Sequence, residues 1–214
     1  MVGDSWTHKI ARLCILPLVN TPVTPNHLTT ARLVTGLSAG AAFAVGDRAW
    51  DISGGWLWLL SCFLDRADGE LARVSGKTSP WGHRYDYLCD VWVTALFFLG
   101  AGIGLRDGGL GGWAIAAGLA SMLGVIAAEV LAERIDRMKG DTGAKAYPSF
   151  AGFDFDDVLY LFAPVVWLGW QLPFVLGASV GAPAFALLTW YKLRRLRSEH
   201  AARTRPDRSD NRPG

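Results

Sequence analysis

Six stretches of this chain, at approximately 27–46, 52–72, 82–105, 111–132, 156–171 and 173–191, are apolar and near the length at which an α-helix crosses a bilayer. A soluble helical bundle would need polar outer faces, and segments such as Val91–Gly104 and Trp113–Ala128 have none. The composition agrees, with 51% hydrophobic residues, 19% charged residues and a mean hydropathy of +0.23 over 214 residues. The expected fold is therefore an all-α integral membrane protein with six transmembrane helices.

Ahead of the first span, Trp6, Ile10, Leu13 and Pro17 fall near helical spacing, which predicts an amphipathic helix over about 5–18 lying on the membrane surface. Lys9 and Arg12 interrupt that stretch and no small-residue cleavage site follows, so a removable signal peptide is not expected. Six spans put both termini on one side. Of 21 Lys and Arg residues, only Arg48 and Arg106 then fall on the other side (21 − 2 = 19), so the positive-inside rule places both ends in the cytoplasm. This predicts a multi-pass protein of the cell (inner) membrane. Residues 1–191 form one membrane domain, and the basic stretch 192–214 is expected to be a disordered cytoplasmic tail that meets anionic lipid rather than nucleic acid. Cys14, Cys62 and Cys89 lack any metal-binding spacing and read as small buried hydrophobes.

Charges inside membrane spans are costly, so the acids of the second and third spans need a reason. Asp65 and Asp68 are three apart at the end of one, and Asp86 and Asp90 four apart near the start of the next. Each pair shares a helical face, and two consecutive helices joined by a short loop run antiparallel. Four carboxylates would then meet near the inner surface, facing the cytoplasm. They would repel one another unless cations intervened, and a ligand set made only of oxygen favours Mg²⁺, Mn²⁺ or Ca²⁺. Arg73, on the same face as Asp65 and Gly69, adds a fork of donors at the boundary. Read singly, these residues have plainer uses: Asp65 and Asp68 as partners of Arg66 and Arg73, Ser79 as the cap of a helix opening at Pro80, and Gly82 in close packing.

Read together, they form Asp65-x-x-Asp68-Gly69-x-x-Ala72-Arg73, eight residues, then Gly82-x-x-x-Asp86-x-x-x-Asp90. This resembles, without a departure, the signature of the CDP-alcohol phosphotransferase family. The resemblance implies a membrane enzyme that moves a phospho-alcohol group from a CDP-activated donor to an alcohol acceptor and releases CMP. It implies two ions, Mg²⁺ or Mn²⁺, held by Asp65, Asp68, Asp86 and Asp90, with Asp90 also the general base. Gly69, Arg73 and Ser79 would hold the cytidine diphosphate. The segment Pro25–Thr29 also resembles family members, in which Asn26 and Thr29 would face the donor's phosphates; Asn26 as a plain helix cap is the other reading.

CDP-diacylglycerol with a small alcohol acceptor is the leading substrate pair, in phospholipid biosynthesis; a CDP-amino-alcohol with a lipid acceptor is the alternative. Arg134, Arg137, Lys139 and Lys145 could hold an acceptor phosphate or simply form a solvated positive loop. Asp154, Asp156 and Asp157 suit a helix N-terminus, and they could equally attract a cationic amino-alcohol. A divalent-cation transporter is a reading from another class, though it needs none of the glycines or Arg73 at these spacings. Gly36 and Gly40, four apart, predict a homodimer through the first span.

Overall fold

The computed structural model describes residues 6–139 and 155–203, and every element among them is a helix. Helix α1 (Trp6–Ile15) continues through a 3-10 turn (Leu16–Leu18) toward α2 (Pro25–Val45), α3 (Arg48–Ser75), α4 (Pro80–Gly104) and α5 (Gly112–Lys139). A second 3-10 segment (Phe155–Leu161) leads into α6 (Phe162–Trp167) and then α7 (Gln171–Arg203). Local chemistry sets the boundaries. Pro25 and Pro80 occupy first turns, where a missing N–H breaks no helical bond. Asp47 caps α3 by accepting from the Ala49 amide at 2.9 Å, and Ser79 caps α4 by accepting from Gly82 at 2.9 Å. Thr24, not Asn26, is the N-cap of α2, and Gly46 and Gly76 close α2 and α3 in the left-handed region at φ 78° and 66°.

The protein is a multi-pass membrane protein. Among the described residues, four helical segments, Pro25–Val45, Pro80–Gly104, Gly112–Met138 and Gln171–Glu199, have the length and composition of membrane spans. The second expected span lies within α3, which has 28 residues but carries Asp65, Arg66, Asp68, Glu70 and Arg73 in its C-terminal half. The segment expected at 156–171 differs more. Its α-helical part, α6, has six residues and stops at Gly169, φ 74°. Arg48, at the start of α3, donates to the carbonyl of Val166 at 2.9 Å and to that of Trp167, occupying groups that a continuing helix would have used. The tail differs as well, because α7 runs on to Arg203 instead of losing structure at 192. Leu193 and Leu196 pack with Ile135 and Leu131 of α5, and Arg195 pairs with Glu199 at 2.9 Å across one turn.

Helix α2 packs on α3 and α4, α4 on α5, and α5 on α7, while α1 lies against α3. The α2–α4 crossing is tight enough that a Cβ on Gly40 would stand 3.2 Å from the Leu96 carbonyl oxygen, and one on Gly100 would fall on the Gly40 carbonyl. Gly36 is pressed against Ser61 of α3 and Val93 of α4. The expected dimer face is thus spent inside the protomer, which corrects the assignment of Gly36 and Gly40 to a homodimer contact. Small residues four apart report a close approach without saying which helix approaches. Cys62 and Cys89 are buried as expected, whereas Cys14 is exposed on the outer face of α1 together with Leu13.

An aromatic core joins these helices two turns along α3 from Asp65. The Trp58 ring lies 4.5 Å from Phe97, and Phe97 lies 4.9 Å from Phe162. The Trp58 indole N–H donates to the Leu159 carbonyl at 2.8 Å, and the Tyr160 hydroxyl donates to that of Cys62 at 2.9 Å. Both bonds fix the short segment before α6 against the α3 face that carries the acids.

Candidate active site

The C-terminal turns of α3 meet the N-terminal turns of α2 and α4 at one end of the bundle, the end on which α1 is docked. Asp65 and Asp68 of α3 stand opposite Asp86 of α4, with one carboxylate oxygen of each lying within 4.8 Å of the others. Asp90, one turn further along α4, joins them through a residue from α2. The Arg32 guanidinium, 3% exposed, puts Nη1 at 2.9 Å from Asp65 Oδ1 and 3.2 Å from Asp86 Oδ1, and its Nη2 pairs with Asp90 Oδ1. Buried Asp68 accepts a hydrogen bond from Thr29 Oγ1 at 2.6 Å.

Sequence reading missed Arg32. Its signal was a lone cation within an otherwise apolar span, one turn after Thr29 on the same face. Four carboxylates and one guanidinium leave a formal charge of −4 + 1 = −3 at this end of the bundle. That surplus, carried by carboxylate oxygens alone, fits hard divalent cations better than any other common ligand. Pairing of Asp65 and Asp68 with Arg66 and Arg73 gives way to this arrangement: Asp65 is held by Arg32 and Asp68 by Thr29, while Arg73 turns to Glu70 at 3.2 Å.

Two cavities open on the carboxylates. The smaller, about 200 Å³, is bounded by Asn26 and Thr29 of α2, Ser79 and Gly82 at the start of α4, and Lys77 between them. A Cβ on Gly82 would stand 3.0 Å from both Asn26 Oδ1 and Ser79 Oγ, so glycine there lets the two polar side chains approach each other. The larger, about 400 Å³, holds all four aspartates with Arg73 at its polar end and continues between α4, α5 and α7 along Phe98, Val125 and Phe185. Asp68, Gly69 and Asp86 line both. Asn26, Thr29, Gly69, Arg73, Ser79 and the four aspartates therefore all border one or the other of these two adjoining cavities.

Arg134 and Arg137 are exposed at the end of α5, where Arg137 pairs with Glu133 at 2.7 Å. Lys145 and Asp154 lie outside the described residues, as do the side chains of Lys139, Asp156 and Asp157.

Comparison with known proteins agrees with this geometry. A family model described as CDP-alcohol phosphatidyltransferase matches residues 22–190. A curated bifunctional IPC transferase and DIPP synthase from Rubrobacter xylanophilus is 31% identical over 87 residues, which is 41% of this chain and 19% of the relative. The chain thus spans about a fifth of that relative's length. The fold is shared with a crystal structure of Mycobacterium tuberculosis phosphatidylinositol phosphate synthase with CDP-DAG bound, at a TM-score of 0.59 and 19% identity, covering 98% of this chain and 99% of the other.

Proposed function

The chain belongs to the CDP-alcohol phosphatidyltransferase family, and from that premise we propose that it transfers a phosphatidyl group from CDP-diacylglycerol to a small alcohol, releasing CMP. The observation that carries this reading is the carboxylate cluster, drawn from α3 and α4 at the family's spacing and opening both on a cavity bordered by Asn26, Lys77 and Ser79 and on one that runs along Phe98, Val125 and Phe185. The smaller cavity suits the nucleotide, with Asn26 and Ser79 as hydrogen-bonding groups and Gly69 leaving room beside Asp68. The apolar limb of the larger cavity suits acyl chains. The crystallised relative, a phosphatidylinositol phosphate synthase, was captured with CDP-DAG, which supports a donor of that class here.

In this reading Asp65, Asp68, Asp86 and Asp90 hold two divalent ions, Mg²⁺ or Mn²⁺. Such ions, when bound, supply charge neutralisation to the diphosphate and to the departing CMP. Asp90 takes the proton from the acceptor hydroxyl as that oxygen attacks the donor's β-phosphorus. The P–O bond to CMP breaks, and CMP leaves with the electron pair. Thr29 keeps Asp68 oriented through its 2.6 Å hydrogen bond. Arg32 balances part of the acidic charge and links Asp90 to Asp65 and Asp86. Arg73 offers donors to the diphosphate. The site faces the cytoplasm, where the CDP-linked donor and a water-soluble acceptor meet.

The test is to incubate purified protein with CDP-diacylglycerol and a panel of alcohols, phosphorylated and not, and to follow CMP. Chelator-sensitive CMP release with one acceptor supports the reading. If no CDP-linked donor yields CMP with any acceptor, the reading is wrong.

A further inference from the structure

The short link between α3 and α4 carries a cation that is held in place without an acid. Lys77 follows Gly76, and its ammonium donates to the carbonyls of Thr21 at 3.1 Å and Val23 at 3.2 Å. Among the described residues no carboxylate pairs with it. The two carbonyls stand in a segment that is itself ordered. Thr21 Oγ1 donates to the Leu18 carbonyl at 2.7 Å and accepts from the Val23 amide at 3.3 Å, a local turn that fixes the chain just before α2. Leu18, Val19 and Val23 in turn pack against Ile15, Ala67 and Leu71.

An ammonium offers three donors on a flexible four-carbon stem, and a lysine at a surface ordinarily leaves them to water. Here two are committed to carbonyls, which hold the stem yet cancel none of its formal charge. One N–H and the whole positive charge remain, on a residue that lines the smaller cavity together with Asn26, Ser79, Asp68 and Asp86. That cavity therefore has carboxylates in one part of its lining and a held cation in another. Carboxylates suit divalent ions and an ammonium suits an oxyanion, so a ligand that answers to both carries several phosphoryl oxygens. A clip between two loops would need the N–H donors but not the charge.

We propose that Lys77 is a substrate-binding residue, whose ammonium takes a phosphoryl oxygen of the CDP-linked donor at the edge of the smaller cavity. The Thr21 and Val23 carbonyls position it, so the segment before α2 shapes the site without lending it a side chain. The identity of the ligand rests on the enzyme reading above, while the held cation rests on the contacts.

The experiment uses the full chain in nanodiscs of phosphatidylcholine, with and without phosphatidylglycerol, as wild type, Lys77→Arg, Lys77→Gln, Lys77→Met and Lys9→Gln, an exposed residue on α1. Arginine keeps the charge and the donors, glutamine keeps donors for the clip but no charge, and methionine keeps neither. Calorimetric binding of CDP in the presence of Mn²⁺, Mn²⁺ binding alone by electron paramagnetic resonance, and CMP release are measured. Lys77→Gln and Lys77→Met should each weaken CDP binding about tenfold at low ionic strength, the scale of one charge-assisted contact, with Lys77→Arg within about threefold and Mn²⁺ binding within about twofold of wild type. The gap should narrow as salt is raised, because the group is exposed. Lys9→Gln should match wild type.

Unchanged CDP binding in Lys77→Gln would reduce the residue to a clip and overturn the proposal. An equal loss in Lys77→Arg or in Lys9→Gln, a loss insensitive to salt, or a parallel fall in Mn²⁺ binding would do the same, as would a loss confined to nanodiscs with phosphatidylglycerol, which assigns the charge to lipid headgroups. Should Lys77→Met fail to fold, Lys77→Gln decides. If the wild type releases no CMP from any CDP-linked donor yet CDP binding falls in Lys77→Gln, the enzyme reading fails and the role of Lys77 stands. CMP release by the wild type with unchanged CDP binding in Lys77→Gln keeps the enzyme reading and removes this one.

Discussion

Replacing Arg32 by glutamine separates the charge balance of the site from its packing. The guanidinium is 3% exposed and serves Asp65, Asp86 and Asp90 at once. With it the cluster carries a formal −3, and without it −4, while glutamine preserves much of the volume. Removing one partner from a buried ionic set costs about 3–5 kcal/mol when nothing replaces it. For a protein of this size each kcal/mol shifts Tm by about 2–4 °C, so the lower bound corresponds to a fall of about 6–12 °C in chelator. Divalent cations should supply the missing positive charge, so in saturating Mn²⁺ the fall should shrink to about half of that or less. Mn²⁺ should also bind the variant more tightly, because the guanidinium no longer competes for the same oxygens. Thermal unfolding in detergent with and without Mn²⁺, paired with Mn²⁺ titration, reads both effects. An equal fall of Tm in chelator and in Mn²⁺, or weaker Mn²⁺ binding, would refute the charge argument.

Asp90→Asn should abolish CMP release while leaving Mn²⁺-dependent CDP binding largely intact; near-normal turnover would remove Asp90 as the base. Asp65→Ala, Asp68→Ala and Asp86→Ala should each lose metal-dependent turnover, and exhaustive chelation of the wild type should do the same in the CMP assay. Thr29→Val keeps the shape but deletes the donor to Asp68, and should weaken Mn²⁺ binding about tenfold by titration. Gly100→Ala places a methyl on the Gly40 carbonyl and should cost about 1–3 kcal/mol, read as a lower Tm with unchanged metal stoichiometry.

The aspartates were legible in the sequence because acids at i, i+3 and i+4 in apolar segments have few structural uses, and helix geometry alone brings each pair to one face. Arg32 was not, since nothing in α2 says which acids it will meet; its partners lie on α3 and α4, and only the packing of three helices assembles them. The setting of Lys77 escaped for a similar reason, since the Thr21 and Val23 carbonyls reach it only when the segment before α2 packs on α3. The break at α6 depends on Arg48, 118 residues before the carbonyl it caps at Val166. The Gly36–Gly40 pair was read correctly as a place of close approach and wrongly as a place where a second copy approaches.

Because Asp68, Gly69 and Asp86 belong to both cavities, reactants lodged in either one would border the same two carboxylates. A lipid whose chains follow Phe98, Val125 and Phe185 can present its headgroup to the aspartates without lifting a chain out of hydrocarbon. Each methylene dragged into water would add about 0.8 kcal/mol to the climb. A hydrophilic reactant arriving beside Asn26 and Ser79 is likewise spared from shedding its hydration in the bilayer. On the proposed reading neither reactant has to change phase, and the barrier left to the enzyme is the chemistry and not the crossing.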